Sequence, residues 1–116
     1  MNRRVLRRIF SNLMVGLMVG AVPYRYPGVW IKATTTLDVL SGGRFELGLG
    51  AGGNWQAIEA MGSRRLRPGQ AIDALEEAIH VMRALWTPGL AHADGEYHSV
   101  DGVHTGPGPA HPISIW

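Results

Sequence analysis

Residues 37–54, L-D-V-L-S-G-G-R-F-E-L-G-L-G-A-G-G-N, constrain the fold of this chain more than any other stretch. They place the end of a helix, a glycine stop, a short buried strand and a glycine-rich turn side by side in sequence. Ser41, Gly42 and Gly43 make the stop, because glycine accepts the left-handed conformation that closes a helix. Residues 45–49 form an apolar run too short for a helix and bounded by turn residues, so they read as a strand. Gly50, Ala51, Gly52 and Gly53 then leave almost no side chains at that strand's carboxyl end. Bare backbone in this position is where α/β proteins place their ligands.

The flanking segments take their reading from this one. Residues 13–22, L-M-V-G-L-M-V-G-A-V, carry no charge and read as a strand covered on both faces. Gly16 and Gly20 permit a bulge or a closely approaching ligand there. Pro23 ends the ladder, and Pro27 suits the first turn of a helix because its missing N–H would be unpaired there anyway. Over residues 28–40, Trp30, Ala33, Leu37 and Leu40 recur at spacings of three and four, so they are expected to form the buried face. Thr34, Thr35 and Thr36 lower the intrinsic propensity and leave this helix dependent on tertiary packing.

Beyond the glycine turn, Asn54 is placed to cap a short helix through Met61, which Gly62 closes. The arginines of residues 63–67 read as a solvated loop, with phosphate or carboxylate contact as the second reading. Pro68 opens a long helix whose apolar stripe is Ile72, Leu75, Ile79, Met82 and Trp86. In the Gly- and Pro-rich residues 90–112, the pieces 96–100 and 102–105 are expected to pair as a hairpin around Asp101-Gly102. Residues 113–116 read as the beginning of another buried strand. Strand, helix, strand, helix, excursion, strand is the alternation of an α/β protein with a parallel sheet and helical crossovers. So few strands and helices cannot cover both faces or both edges of a sheet, so exposed apolar surface is expected unless a partner supplies the rest.

Charge and composition narrow the function classes. Of 11 basic residues, Arg3, Arg4, Arg7 and Arg8 lie in the first twelve positions, leaving seven against 9 acids in the remainder. The body is slightly acidic, and neither a nucleic-acid nor a membrane partner is expected. The arginines followed by an apolar run resemble a secretory signal, but a strand behind a poorly ordered basic leader (1–12) is the preferred reading, with 13–116 as the structured unit. The chain has no cysteine, which removes disulfides, thiolate metal sites and cysteine nucleophiles and fits the cytoplasm.

Gly48, Gly50 and Gly53 satisfy G-x-G-x-x-G, the bare dinucleotide fingerprint. The acid about twenty positions on is Asp73, which falls inside the long helix and not at a strand end, so a Rossmann-type NAD site is the least favoured reading. His92, His98, His104 and His111 are read as exposed loop histidines in preference to a metal site, because Gly95 and Asp101-Gly102 interrupt any continuous face. No G-x-S-x-G nucleophile motif occurs, and Asp73, Glu76 and Glu77 read as a solvated helix face.

The pairing of Y-R-Y-P-G (24–28) with T-L-D-V-L-S-G-G-R-F-E-L-G-L-G-A-G (36–52) resembles the luciferase-like monooxygenase family. The likeness continues through N-W-Q-A-I-E-A-M-G, R-P-G-Q-A-I-D-A-L-E-E-A-I-H-V-M-R-A-L-W, D-G-E-Y-H-S-V-D-G and G-P-G-P-A-H-P-I-S-I-W, covering residues 13–116. The resemblance implies a (β/α)8 TIM barrel whose members move a hydride through a flavin (FMN) or the deazaflavin coenzyme F420. Such a barrel takes about 250 residues, so this chain would supply the third strand to the start of the fifth and be inactive alone.

By the family pattern a non-prolyl cis peptide behind the cofactor ring falls on Met18-Val19, with Gly20 beside it. Ala51, Gly52 and Gly53 would meet the ring's edge, and Tyr24, Asn54 and Trp55 would wall the pocket of a small-molecule substrate. Relatives carry a polar or charged residue at the Ala51 position and a bulky one at Gly53, so backbone contact is expected here in place of side-chain chemistry. A second reading, from a different class, is a self-associating module that pairs its bare sheet edges into a homo-oligomer.

Overall fold

The computed structural model describes residues 2–116. Strand β1 (Val15–Ala21), helix α2 (Pro27–Ser41) and strand β2 (Phe45–Gly50) form a βαβ unit, with helix α1 (Arg3–Asn12) ahead of it. β1 and β2 pair in parallel, Val15 opposite Phe45 and Ala21 opposite Gly50. A short helix α3 (Trp55–Ala60), the long helix α4 (Pro68–Trp86) and a hairpin of β3 (Ala91–Asp94) and β4 (Ser99–Val103) follow. Residues 113–116 then return to β2. Leu47 N–H donates to Ser114 O at 3.1 Å, Trp116 N–H to Leu47 O at 2.8 Å and Leu49 N–H to Trp116 O at 2.9 Å, a parallel pairing just begun. The result is the arc of a (β/α)8 barrel, with β2 between β1 and the terminal segment. Position 1 of the leader expected at 1–12 lies outside the described residues. Arg3–Asn12 form α1, started by Asn2, whose Oδ1 accepts the Arg4 N–H at 3.0 Å.

The core lies between the helices and the side of β2 that carries Phe45, Leu47 and Leu49. Both long helices meet it on faces that match the expected ones only in part: Trp30 and Met82 are buried as expected, and Leu75, Ile79 and Trp86 pack against the core. In α2 the buried residues are Pro27, Trp30, Ile31, Thr34 and Asp38, whereas Leu37 and Leu40 are 46% and 79% exposed. In α4 they are Ala71, Ala74, Ala78, Val81, Met82 and Leu85, whereas Ile72 is 61% exposed. Alanines at 71, 74 and 78 let the α4 backbone approach closely over its first half, and Val81, Met82 and Leu85 fill the core over its second. Thr34 is tolerated in the core because its hydroxyl donates to Trp30 O at 2.8 Å.

The hairpin also departs from expectation. Its turn is at 95–98, and Asp101-Gly102 lies within β4, where Gly102 (φ +63°) is the extra residue of a bulge opposite Ala91 and His92. The cause is Glu77 on α4. Its carboxylate accepts the N–H groups of Glu96, Tyr97 and His98 at 2.9, 2.7 and 3.0 Å, which folds the chain at that point. Burial raises the Glu77 carboxyl, but these three bonds outweigh it and hold the group below its ordinary range.

Asp38, fully buried, ties the unit together. Oδ1 accepts the Phe45 N–H at 3.2 Å and Oδ2 accepts the His111 N–H at 3.1 Å. His111 Nδ1 lies 2.7 Å from Oδ1, but its N–H is not aimed for a hydrogen bond, so charge carries that contact. On the other side of the ring, His111 Nε2 is 3.2 Å from Glu46 Oε1, and Glu46 Oε2 accepts the Trp116 indole N–H at 3.3 Å. His111 is therefore no exposed loop histidine but a bridge between two carboxylates; His98 is also half-buried, while His92 and His104 are exposed.

The bridge has a pH window. Glu46's hydrogen bond, opposed by burial and aided by the Asp38 charge, raises His111 above its ordinary 6.5, so its contribution is full below 6.5 and lost as pH climbs through the raised value. For Glu46, burial pushes the carboxyl up but hydrogen bonds from His111, Ser114 and Trp116 outweigh it; the group sits below 4.5, and its contribution is lost as pH falls through the lowered value. Amide-exchange protection of Leu47 and Trp116 is expected to peak between these limits and to fall toward alkaline pH. His111→Gln should remove the alkaline limb, and protection in the parent chain that stays flat from about pH 6 to 9 would rule the bridge out.

Candidate functional site

The carboxyl ends of β1 and β2 bring together the backbone segments on which the sequence reading depends. The peptide Met18-Val19 is cis, and the β1 register shifts between Leu17 and Gly20. Met18 is 90% and Val19 57% exposed, while Gly20 is buried beneath them, opposite Leu49. A Cβ on Gly20 would stand 2.6 Å from the Trp30 ring. One on Gly48 would stand 2.7 Å from Leu17 O, and one on Gly50 would stand 3.0 Å from Val19 Cγ1. The two strands thus meet at this point because β2 carries no side chain there. Residues 17–21 lie beside 48–50, and the turn that follows Gly50 leaves from this point.

The residues that follow divide into packed and open positions. Gly52 (φ +100°) lies against Ile58, Pro23 and Trp55, where a Cβ would come within 3.1–3.4 Å. Trp55 is half-buried. Gly53 is exposed with nothing within 4 Å of a Cβ position. Asn54 caps α3, its Oδ1 accepting the Ala57 N–H at 3.2 Å, so its side-chain oxygen is already occupied. Tyr24 stands exposed on the 3-10 turn Val22–Tyr24. Gly48 and Gly50 lie within β2 and Asp73 is exposed on α4, so the acid about twenty positions on does not stand at the end of a neighbouring strand as a Rossmann site requires. Among the described residues, no three of His, Cys, Asp and Glu gather as a metal site would need, and no helix is long and apolar enough to cross a membrane.

Two hollows flank this junction. One, of about 440 Å³, lies over the sheet face away from the helices and is bounded by Gly16, Leu17, Met18, Glu46, Gly48 and Trp116. Its floor is mostly backbone, with Glu46 as its ionisable side chain. The other is a cleft of about 460 Å³ reached by Tyr24 and Ala51 from one side and by the hairpin tip from the other. Sequence reasoning missed Arg25, Arg64, Tyr97 and His98 in its walls. Arg25 lies inside Y-R-Y-P-G, and Tyr97 and His98 inside D-G-E-Y-H-S-V-D-G, but neither motif places them in a cleft; the hairpin residues arrive through Glu77, which reads from sequence as a solvated carboxylate. Burial lowers the His98 imidazole, against the pull of Glu77, and desolvation raises the Tyr97 phenol, so both favour the neutral form.

Comparison with known proteins gives a consistent set of likenesses. Residues 11–116 match the family described as luciferase-like monooxygenase. The chain is 32% identical over 94 residues to the pyrimidine monooxygenase RutA of Cronobacter sakazakii, covering 77% of this chain and 27% of that protein. It is 33% identical over 109 residues to the F420-dependent glucose-6-phosphate dehydrogenase of Intrasporangium calvum, covering 91% of this chain and 33% of that one. Among solved structures, an F420-dependent secondary alcohol dehydrogenase with an F420-acetone adduct superposes with a TM-score of 0.78 at 22% identity, over 88% of this chain and 31% of that one. The oxygenating constituent of 3,6-diketocamphane monooxygenase from Pseudomonas putida, with FMN, superposes with a TM-score of 0.73 at 20% identity, over 98% of this chain and 36% of that one. The chain spans 27% and 33% of the length of the two relatives named.

The glycines separate close packing from openness, and substitution should show it. Gly48→Ala is expected to destabilise by about 1–3 kcal/mol, since its Cβ meets β1 backbone that cannot yield cheaply. Gly53→Ala, in open space, should stay within about 0.5 kcal/mol. Equal denaturation midpoints for the two variants would contradict the packing at the junction.

Proposed function

Because the chain belongs to the luciferase-like monooxygenase family, we propose that it forms the cofactor-facing arc of an oxidoreductase that uses FMN or coenzyme F420 to move a hydride to or from a small molecule. The observation that carries this reading is the junction itself: exposed Met18 and Val19 beside the side-chain-free positions Gly48 and Gly50, opening onto a hollow. A planar, largely apolar ring fits such a surface, because glycine leaves room for face contact and the exposed apolar side chains lose water on its arrival.

When bound, either cofactor supplies the hydride chemistry at its ring. The residues of this chain bind, orient and exclude water. Met18, Val19 and Gly20 back the ring. Ala51, Gly52 and Gly53 meet its edge through backbone, since none offers a polar side chain. Tyr24 and Trp55 wall the substrate side, and Asn54 fixes the turn between them through its cap on α3. The described sheet is open beyond β1, which supports the further proposal that the chain alone does not turn substrate over. The setting proposed is the cytoplasm.

A second reading has its own support. β1 has a single neighbour, and Leu13, Met14, Leu37 and Leu40 are exposed, so copies of the chain have both an open strand edge and apolar surface to join. Light scattering separates this self-association from a monomer.

Titration of the labelled chain with FMN and with F420 tests the first reading. Amide shifts are expected at residues 18–20 and 50–53, with weak affinity and no turnover. Shifts confined to the hairpin, or none from either cofactor, would defeat it, and micromolar affinity with turnover would defeat the proposal of inactivity.

A further inference from the structure

We infer that the cleft between the turn after β1, the loop joining α3 to α4 and the tip of the β3–β4 hairpin is a recognition site for a small carboxylate with a flat apolar body, held by Arg25 and Arg64. The proposal concerns recognition only and does not rest on which cofactor, if any, occupies the neighbouring hollow.

Charge is the first support. The cleft walls carry two guanidinium groups, Arg25 and Arg64, against a single acid, Glu96. Among the described residues neither arginine is ion-paired, whereas Arg65 next door is held by Glu59 at 2.7 Å. His98 is pushed toward neutrality by burial and adds no charge of its own. Among the lining residues the excess is one positive charge, and Asp73 and Glu77, which act on Tyr97 from outside the lining, limit it, so a singly charged carboxylate suits the cleft better than a doubly charged phosphate monoester.

The second support is that all three walls are fixed before any ligand arrives. Arg25 is steadied with its guanidinium 5.4 Å from the centre of the Trp30 ring. Ser63 Oγ donates to Pro23 O at 2.6 Å, fastening the α3–α4 loop to the turn after β1. The hairpin tip is fastened by the three bonds to Glu77. A site ordered in advance spends less of its binding energy on ordering itself.

The third is the chemistry of the remaining surface. Val22, Leu66, Ala71 and Ala74 give an apolar floor, and Tyr24 and Tyr97 present rings. The volume of about 460 Å³ lies within the ordinary range for small-ligand clefts, about 300–1,000 Å³. A bicyclic carboxylate would place its ring system on that floor and its oxygens toward the two forks of N–H donors.

Calorimetry on the full chain without cofactor, using 2-naphthoate, its neutral amide and 2-naphthyl phosphate, tests this. Naphthoate should bind at least about tenfold more tightly than the amide, and Arg25→Gln and Arg64→Gln should each bring it down toward the amide. Glu96→Gln should tighten naphthoate binding, a gain that misfolding cannot imitate. Equal affinity for naphthoate and amide, tighter binding of the phosphate, no effect of Glu96→Gln, or no binding at all would each overturn the proposal. Because no cofactor is added, failure here leaves the oxidoreductase reading intact, and failure of cofactor binding leaves this one intact.

Discussion

The fold depends on a single buried carboxylate. Asp38 stands at the end of α2 with no access to water, and a charge so placed is costly unless hydrogen bonds and a counter-charge meet it. It receives the first amide of β2 and the amide of His111, two groups that would otherwise be left without partners where helix, strand and returning chain converge. One side chain thereby sets where α2 stops, where β2 begins and where residues 111–116 come back. Gly42 and Gly43, both in the left-handed region, are the turn that lets Asp38 face its own downstream strand.

That geometry explains which parts of the fold were legible in the sequence. The strand expected at 45–49, which runs to Gly50, the glycine stop, the Asn54 cap and the cis peptide at Met18-Val19 depend on backbone preferences spread over a few residues or on a family pattern, and each is found where it was expected. The helix faces were legible only in part: Trp30 and Met82 are buried as expected, but bulk also selected Leu37, Leu40 and Ile72, which are exposed. One residue along a helix turns the side chain by about 100°, and the buried stripes also take in the polar Thr34 and Asp38 in α2 and alanines in α4. Nothing in local sequence marks Asp38 as a core residue, since its partner His111 lies 73 positions away.

The hairpin gives the same lesson on the functional side. Asp101-Gly102 carries a strong turn signal, yet Glu77 fixes the turn at 95–98 by offering one carboxylate to three consecutive amides. Local propensity lost to a long-range acceptor, and Gly102 became a bulge instead. The same contact carries Tyr97 and His98 to the cleft, so the walls that sequence reading missed arrive through the element it misplaced. The meeting of residues 17–21 with 48–50 was legible because it needs only two strands in parallel and glycines where they touch.

The pairing of residues 113–116 with β2 has a bearing on how this chain keeps company with other polypeptides. Leu47 turns both its amide and its carbonyl toward that segment. Without it, β2 would offer a naked hydrogen-bonding rim backed by a hydrophobic core, the template on which foreign strands stack. The imidazole clasped between Asp38 and Glu46 thus acts as a latch, holding residues 111–116 over one border of β2 while β1 covers the other.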